Sequence, residues 1–331
     1  MVRFGIVGTS KITTEFWKAV GLASDTRGVS VQAVYSRNLE TGEHYAKSHS
    51  IPHVFTDITA MVQSQQIDAI YIASPNAFHA EHAITAMNAG KHVLVEKPMA
   101  SNASEVERMI AAAQANNVLL MEAMKSTVQP GFELVRQNLH RVGQVRKYVA
   151  SYCQYSSRYD AFKQGIIANA FKPELSNGAL LDIGVYTLHP LIQIFGEPQT
   201  IKAQATMLST GVDGAGSIVM GYEGMEAVVL YSKITDSHLP SEIQGESGTL
   251  LIDRINEPRE IKFVGRDGTV EQWSALEVEH GMVDEVHHCV DLIERGLSES
   301  PINTHKASLG VARTMDAARQ QIGLRFPADH I

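Results

Sequence analysis

Between Asp68 and Ala73 the sequence reads Asp-Ala-Ile-Tyr-Ile-Ala, an apolar run into which no polar residue alternates. A strand of this composition is buried on both faces, which is typical of a parallel sheet covered by helices. Helical patterns follow it in Ala77–Asn88 and Asn102–Asn117. Other short apolar runs of the first 121 residues are Phe4–Val7, Val29–Tyr35, His53–Phe55, His92–Val95 and Val118–Met121. This alternation predicts a doubly wound α/β domain of the Rossmann type over residues 1–121.

The first strand of this domain runs into the turn Gly5-Ile6-Val7-Gly8-Thr9-Ser10-Lys11-Ile12-Thr13. A dinucleotide-binding turn usually carries three glycines, and here Gly8 is the first while Ser10 and Thr13 occupy the other two positions. The turn follows a buried strand and precedes a helix, whose N-terminus can bind a pyrophosphate. We therefore predict a dinucleotide site, with an ordinary strand–helix turn as the alternative.

The end of the second strand indicates which dinucleotide is bound. A site specific for NAD places Asp or Glu there to hold the ribose 2′-hydroxyl, whereas this chain has Ser36 and Arg37. A hydroxyl and a guanidinium suit a 2′-phosphate, so NADP(H) is the preferred cofactor and NAD(H) the second choice. The alternative is an exposed arginine at a strand end.

After Glu122 the pattern changes to strands joined by the turn signals Asp213-Gly214, Glu223-Gly224 and Asp267-Gly268. Helices are predicted at Pro130–Leu139, Met282–Arg295 and Lys306–Gln321. The predicted strands are Val145–Ser156, Thr200–Ser209, Ser217–Tyr222, Ala227–Lys233, Glu242–Glu246, Thr249–Asp253, Glu260–Val264 and Thr269–Trp273. We therefore expect residues 122–331 to form an α+β domain with a large, mostly antiparallel open sheet, which binds substrate and mediates oligomerisation.

Composition excludes several classes of protein. With 331 residues, 44% hydrophobic and 19% charged, the chain is long and apolar enough for two folded domains. A net charge of -8 without a basic cluster argues against nucleic-acid binding, and no signal peptide or membrane span is expected. Cys153 and Cys289 form neither a metal-ligand spacing nor a disulfide framework, which suits the cytoplasm.

Two motifs carry a family resemblance: Ala73-Ser74-Pro75-Asn76-Ala77-Phe78-His79, followed by Ala89-Gly90-Lys91-His92-Val93-Leu94-Val95-Glu96-Lys97-Pro98. At this spacing they resemble the Gfo/Idh/MocA oxidoreductases. The segment Glu174–Tyr186 is similar to the branch that contains dimeric dihydrodiol dehydrogenases and NADP-linked xylose dehydrogenases. The resemblance implies a Rossmann domain, a second domain with an open sheet, and a homodimer or higher homo-oligomer formed through that sheet.

The resemblance also implies positions for the cofactor. The turn residues Gly8, Thr9, Ser10, Lys11 and Ile12 would hold the pyrophosphate. Ser74, Asn76 and His79 would lie along the cofactor beyond it. Glu96 and Lys97 would stand beside the nicotinamide, and the Lys97–Pro98 bond is a candidate cis peptide.

Hydride transfer is the chemistry of the cofactor, so the protein must orient a carbon atom and move one proton. Lys97 follows an apolar run, and partial desolvation of its ammonium would favour proton exchange. Asp182 and Tyr186 lie four residues apart in a segment predicted to begin a helix after Gly178, which puts both on one face of that helix. The related branch has Tyr where Tyr186 stands, and a tyrosine near a lysine ammonium suits an acid/base, while Asp182 suits a substrate acceptor. We assign Lys97, Tyr186 and Asp182 to catalysis, leave open which of the first two moves the proton, and add His189 as a substrate contact.

The expected activity is hydride transfer between nicotinamide and a sugar, polyol or related hydroxyl or carbonyl compound. The alternatives are a cofactor-binding regulator without turnover and an NAD-dependent glycosidase. Thr127 and Val128 replace an Arg-Phe pair that many relatives carry, so substrate preference cannot be copied from them. His287 and His288 are adjacent on a predicted helix and point to different faces, so no metal site is predicted.

Overall fold

The computed structural model describes residues 1–275 and 280–330, which form two compact units. Of these residues, 1–125 and 280–308 make the first unit, and 126–275 and 309–330 make the second. The first division lies close to the boundary expected near Glu122. The return of the chain to the first unit at 280–308 was not indicated by the sequence pattern, which placed this segment in the second domain.

The described residues contain strands and helices whose order agrees with the sequence pattern. The strands are β1 Val2–Val7, β2 Val29–Tyr35, β3 His53–Phe55, β4 Ala69–Ile72, β5 His92–Glu96, β6 Leu120–Ala123, β7 Val145–Cys153, β8 Thr200–Met207, β9 Asp213–Tyr222, β10 Met225–Ser232, β11 Ser241–Gly245, β12 Gly248–Ile252, β13 Glu260–Gly265 and β14 Val270–Ser274. The helices are α1 Lys11–Ser24, α2 Leu39–Ser48, α3 Ile58–Gln63, α4 His79–Asn88, α5 Ala103–Asn116, α6 Lys125–Val128, α7 Pro130–Asn138, α8 Tyr159–Lys163, α9 Val185–Phe195, α10 Val283–Glu294 and α11 His305–Ile322.

The first unit is built on a parallel six-stranded sheet in the order β3-β2-β1-β4-β5-β6. This order places the first turn of the chain at the point where the strand order reverses, which is where doubly wound folds bind nucleotides. Helix α1 packs on the sheet through Phe16, whose ring stacks on that of Tyr71 with centroids 3.8 Å apart. The predicted Rossmann domain is confirmed.

The second unit contains an eight-stranded sheet in the order β14-β13-β12-β11-β7-β10-β9-β8. Among the described strands of this second sheet only the β7–β10 pair is parallel, so the predicted mostly antiparallel sheet is confirmed. Along β10 the side chains alternate, and Ala227, Val229 and Tyr231 are buried. This alternation is typical of a sheet with one face on the core.

One turn was predicted in the wrong place. Asp213 and Gly214 do not turn, because β9 begins at Asp213 and pairs with Met207 of β8. The chain instead turns before Val212, whose carbonyl accepts a hydrogen bond from the Leu208 amide at 2.8 Å. Gly211 has φ +87° in this turn, a conformation that glycine adopts at little cost.

The helical stretch Pro173–Phe195 of the second unit is long and apolar enough, by length and composition, to cross a membrane. No such stretch was expected from the sequence. However, 72% of its most apolar window is buried inside the protein. That burial is typical of the core helix of a folded domain.

Candidate functional site

The turn after β1 is shaped for close approach to a ligand. Gly8 has φ +112°, and a Cβ built on it would lie 3.0 Å from the carbonyl oxygen of Ala73 at the end of β4. Its amide donates to the Tyr35 carbonyl at 3.1 Å, which ties the turn to β2. A larger residue here would therefore meet both backbone strain and a steric clash. The predicted role of Gly8 as the first glycine of a dinucleotide turn fits this geometry.

Ser10 and Thr13 explain how the turn is held without the other two glycines. The Ser10 amide donates to the Thr13 hydroxyl at 3.1 Å, and the two hydroxyl oxygens lie 3.2 Å apart. Thr13 lies in the first turn of α1 and is completely buried. The amides of Lys11 and Ile12 belong to the first turn of α1, where amides have no acceptor within the helix. These residues fit the pyrophosphate of a dinucleotide.

The end of β2 offers one exposed cation. Arg37 is exposed, and its guanidinium carbon lies 5.9 Å from the centroid of the Phe78 ring. The Ser36 hydroxyl is buried and donates to the Asn38 carbonyl at 2.8 Å, so it stabilises the turn. Of the two residues proposed for a 2′-phosphate, Arg37 is therefore the better placed.

The motif after β4 contains a buried histidine that braces two loops. The His79 nitrogens lie 2.8 Å from the Ser74 carbonyl oxygen and 3.0 Å from the Pro98 carbonyl oxygen. Burial lowers the pKa of His79 to about 4. With 1% exposure, His79 positions the loops rather than presenting a surface to a cofactor. Asn76, which starts a short 3₁₀ turn, is half-buried.

A second histidine, His82, contacts Ser74 through the serine hydroxyl. This hydroxyl lies 3.0 Å from Nδ1 of His82 on α4. Burial, followed by the charge of Arg37, lowers the pKa of His82 to about 4. Ser74 is thus held between α4 and the loop that ends β4, and it is half-buried.

At the end of β5 a buried carboxylate fixes the chain next to Lys97. The Tyr71 hydroxyl donates to Glu96 Oε1 at 2.6 Å, and the Lys97 amide donates to Oε2 at 3.2 Å. Burial raises the pKa of Glu96, while the Lys97 ammonium opposes that rise. The Lys97–Pro98 peptide is cis, as predicted. Lys97 itself is half-buried.

In the second unit the predicted helix after Gly178 starts with a π-helical turn, Leu180–Gly184, and continues as α9. Such turns are rare and often lie at functional sites. The turn carries Asp182, and the first turn of α9 carries Tyr186; both are half-buried. The Tyr186 ring packs edge-on against Tyr152 of β7, with centroids 5.5 Å apart.

Two residues for which the sequence indicated no functional role support this helix. Asp213 of β9 is completely buried, and its Oδ2 accepts from the Leu180 amide at 2.7 Å. Burial raises the pKa of Asp213 to about 6. Lys233, which follows β10, places its ammonium 2.5 Å from Oδ2 of Asp182. A lysine predicted at a strand end was the only sequence signal for this contact.

His189, predicted to contact substrate, lies in α9 and is completely buried. Asp182 and Tyr186, by contrast, retain exposed surface. The structure thus favours a role for His189 in the packing of the second unit. The two histidines weighed as metal ligands have different partners, since His287 lies 3.0 Å from the Thr26 hydroxyl and His288 lies 2.8 Å from the Ser300 hydroxyl.

Comparison with known proteins agrees with this arrangement. Residues 2–124 match the model of the Gfo/Idh/MocA oxidoreductase family with an NAD-binding Rossmann fold, and residues 134–251 match the Gfo/Idh/MocA C-terminal domain. The chain is 48% identical over 329 residues to a scyllo-inositol 2-dehydrogenase (NADP(+)) of Bacillus subtilis, covering 99% of both proteins. It is 31% identical to a trans-1,2-dihydrobenzene-1,2-diol dehydrogenase of Xenopus tropicalis, covering 98% of this chain and 99% of that protein.

Among solved structures, a levoglucosan dehydrogenase in complex with NADH and levoglucosan has a similar fold. The TM-score is 0.83 at 20% identity, and the match covers 97% of each chain. At this identity the likeness concerns the fold alone.

Proposed function

The chain belongs to the Gfo/Idh/MocA family of oxidoreductases that bind NAD(P), and on this premise we propose that it uses NADP(H) to interconvert a ring hydroxyl and a ketone of a cyclic polyol or sugar. The observation that carries the proposal is the 48% identity, over nearly the whole of both chains, with a protein named for the dehydrogenation of an inositol. A second relative is named for a cyclic diol. Both names describe a hydroxyl group on a six-membered carbon ring.

The bound nicotinamide would supply the hydride acceptor or donor. The residues of this chain would then have to bind the cofactor, orient the hydroxyl and move its proton. In the first unit, Gly8, the N-terminus of α1 and Arg37 would bind the anionic cofactor through local features, since the chain as a whole is acidic. Glu96 and Tyr71 would hold the backbone that presents Lys97.

We assign proton transfer to Lys97 and Tyr186, and acceptance of a substrate hydroxyl to Asp182. Oxidation of the carbinol requires a base for the hydroxyl proton, and the reverse reaction requires an acid at the same oxygen. A half-buried ammonium and a half-buried phenol are both suited to this exchange. The Asp182 carboxylate is an acceptor only, so it would select substrates that donate a hydroxyl hydrogen.

A substrate screen tests the activity. Absorbance of NADPH is followed while inositols, aldoses, trans-cyclohexanediols and linear polyols are oxidised, and while the matching ketones are reduced, each also with NAD(H). Turnover of cyclic polyols with linear polyols inactive is the expected result. Turnover of none of these compounds with either cofactor, in a protein that binds NADPH, would favour the regulator without turnover.

Arg37→Gln is expected to lower kcat/KM for NADP(H) by about 10- to 100-fold, because a charge-assisted hydrogen bond to phosphate contributes roughly 1.5–3 kcal/mol. The value for NAD(H) should stay within about threefold, since that cofactor has no 2′-phosphate to lose contact with. Arg27→Gln is a matched control, because Arg27 is a surface arginine paired with Glu294 at 3.5 Å. Equal losses with both cofactors would contradict the role of Arg37.

We further propose that the protein is a cytoplasmic homodimer or higher homo-oligomer formed through the sheet of the second unit. Exposed apolar side chains on that sheet, Met207 of β8 and Val219 of β9, support the interface. Both cysteines are free thiols, which suits a reducing compartment. Light scattering coupled to size-exclusion chromatography measures the oligomeric state, and a monomer at micromolar concentration would contradict the proposal.

A further inference from the structure

The segment that follows β10 buries a lysine beside the proposed substrate acceptor. The Lys233 amide donates to the Gly214 carbonyl at 2.8 Å, and its carbonyl accepts from the Ser156 amide at 2.9 Å. These two bonds fix the backbone between neighbouring segments of the second unit. The side chain is only 4% exposed, and its ammonium lies 5.1 Å from the centroid of the Phe171 ring.

The ion pair between Lys233 and Asp182 is unequal in its exposure. The Lys233 side chain is 4% exposed, whereas the Asp182 side chain is 37% exposed. A buried ammonium loses its hydration, and a carboxylate at 2.5 Å compensates for that loss. The remaining exposure of Asp182 leaves room for a hydroxyl group to approach the carboxyl from the solvent side.

The nearby Asp213 has a structural role that differs from the role of Asp182 as substrate acceptor. Its Oδ2 accepts from the Leu180 amide, and it fixes the start of the helical segment that carries Asp182. The charge of Lys233 opposes the burial that raises the pKa of Asp213 to about 6. The ion pair of the Lys233 ammonium is with Asp182.

We propose that Lys233 is a positioning residue, which holds Asp182 ionised and oriented as the acceptor for a substrate hydroxyl. The inference rests on the proposed function, because it concerns the substrate acceptor of that reaction. It adds a requirement for the substrate: the recognised group must donate a hydrogen bond to a carboxylate that already binds an ammonium. A deoxy or methoxy analogue at that carbon would remove the hydrogen bond that the substrate hydroxyl donates to this carboxylate.

The elements packed against the Asp182 turn are β7, β9, β10 and α9, and they carry other titratable groups. Burial raises the pKa of Tyr148 on β7 and of Tyr231 on β10, so both phenols stay protonated. The groups to be considered in a pH profile are Tyr148, Tyr152 and Cys153 of β7, Asp213 of β9, Tyr231 of β10, Lys233 after it, and Tyr186 and His189 of α9.

Lys233→Met tests the proposal, because methionine keeps the length of the side chain and removes its charge. In this variant KM for the polyol is expected to rise at least about tenfold, since the acceptor loses its orientation and its ionised form is no longer favoured. The acidic limb of the kcat/KM profile should move to higher pH by about one unit or more. The dissociation constant of NADPH should not change, and Lys233→Arg should restore most of the wild-type KM.

The matched control is Lys147→Met, which removes an exposed lysine of the same sheet, paired with Glu226 at 3.0 Å. It should leave KM and the pH profile unchanged. If Lys233→Met fails to fold, the double variant Lys233→Met/Asp182→Asn removes both charges. The neutral pair should restore folding without restoring the wild-type KM. A folded Lys233→Met protein with unchanged KM and pH profile would overturn the proposal.

A readout without turnover separates this proposal from the proposed function. Carbon-13 labelling of aspartate carboxyl groups allows the Asp182 resonance, identified by its loss in Asp182→Asn, to be titrated by NMR. Its midpoint is expected to be higher in Lys233→Met than in the wild type, and to match the wild type in Lys233→Arg. If the wild type oxidises no polyol but the midpoint is higher in Lys233→Met, only the proposed function is contradicted. An unchanged midpoint in Lys233→Met would contradict the role of Lys233.

Discussion

Lys97→Ala is expected to lower kcat by roughly 10²- to 10⁴-fold, the usual contribution of a general acid or base. Affinity for NADP(H) should change by less than about fivefold, because the phosphates would be bound at Gly8, at the N-terminus of α1 and at Arg37 rather than by Lys97. Steady-state oxidation of a cyclic polyol measures the first quantity. Titration of NADPH fluorescence measures the second.

The expected separation of turnover from binding follows from how the first unit is built. The pyrophosphate would be held at Gly8 and the N-terminus of α1, which the substitution does not touch. The backbone beside Lys97 is fixed through Glu96 by the Tyr71 hydroxyl, and the neighbouring Pro98 carbonyl by His79. The alanine variant should therefore keep its loop and lose only its ammonium.

Lys47→Ala is the control, because Lys47 is an exposed lysine in the last turn of α2. It should turn over like the wild type. If Lys97→Ala retains wild-type kcat while the screen identifies a true substrate, Lys97 does not move the proton or support its transfer. A loss of NADPH binding as large as the loss of kcat would instead make Lys97 a cofactor ligand.

Strand β4 of the first unit could be predicted from the sequence because burial on both faces leaves no polar position in Ala69–Ile72. Val29–Tyr35 and His53–Phe55 were predicted with the bounds that the structure shows. The turn predicted at Asp213-Gly214 was wrong because these are residues that favour turns, whereas a buried carboxylate is required there to bind the Leu180 amide. The turn preferences of individual residues do not indicate such a tertiary contact.

The same limit explains which functional residues were missed. Lys97 and Asp182 lie in motifs, and their neighbours in sequence identify them. Lys233 is 51 residues from Asp182 in the chain, so only the folded sheet brings the two charges together. Glu285 lies on a helix that was predicted correctly, but its burial depends on the return of residues 280–308 to the first unit.

Glu285→Gln is expected to stabilise the folded protein at neutral and alkaline pH and to have little effect near pH 5. Glu285 is completely buried in α10, and neither of its carboxyl oxygens has a hydrogen-bond partner among the described residues. Burial, and then the negative charge of Glu96, raises the pKa of Glu285 well above 4.5, while Lys125 opposes the rise. The folded wild type must therefore keep a proton that the unfolded chain releases.

The direction of the pH dependence follows from proton linkage. Above about pH 4.5 the unfolded chain has lost the proton that the folded protein keeps, so the contribution of Glu285 to stability falls as pH rises. The loss is about 1.4 kcal/mol for each pH unit until the pH reaches the raised pKa of the folded state. Glutamine keeps the shape of the side chain and carries no titrating proton. The free energy of unfolding of the variant should therefore exceed that of the wild type by an amount that grows with pH.

Urea denaturation at pH values from 6.5 to 9 measures this difference in the free energy of unfolding. The range lies above the pKa of Asp213, about 6, because that buried carboxyl also makes stability fall with rising pH. Glu294→Gln is the matched control on the same helix, because Glu294 is exposed and pairs with Arg27 at 3.5 Å. Its effect should stay within about 0.5 kcal/mol at every pH.

Parallel stability curves for Glu285→Gln and the wild type would show that Glu285 ionises in the folded protein as it does in the unfolded chain. A buried partner would then have to compensate its charge, and the Glu96 carboxylate beside it, being of like sign, cannot be that partner.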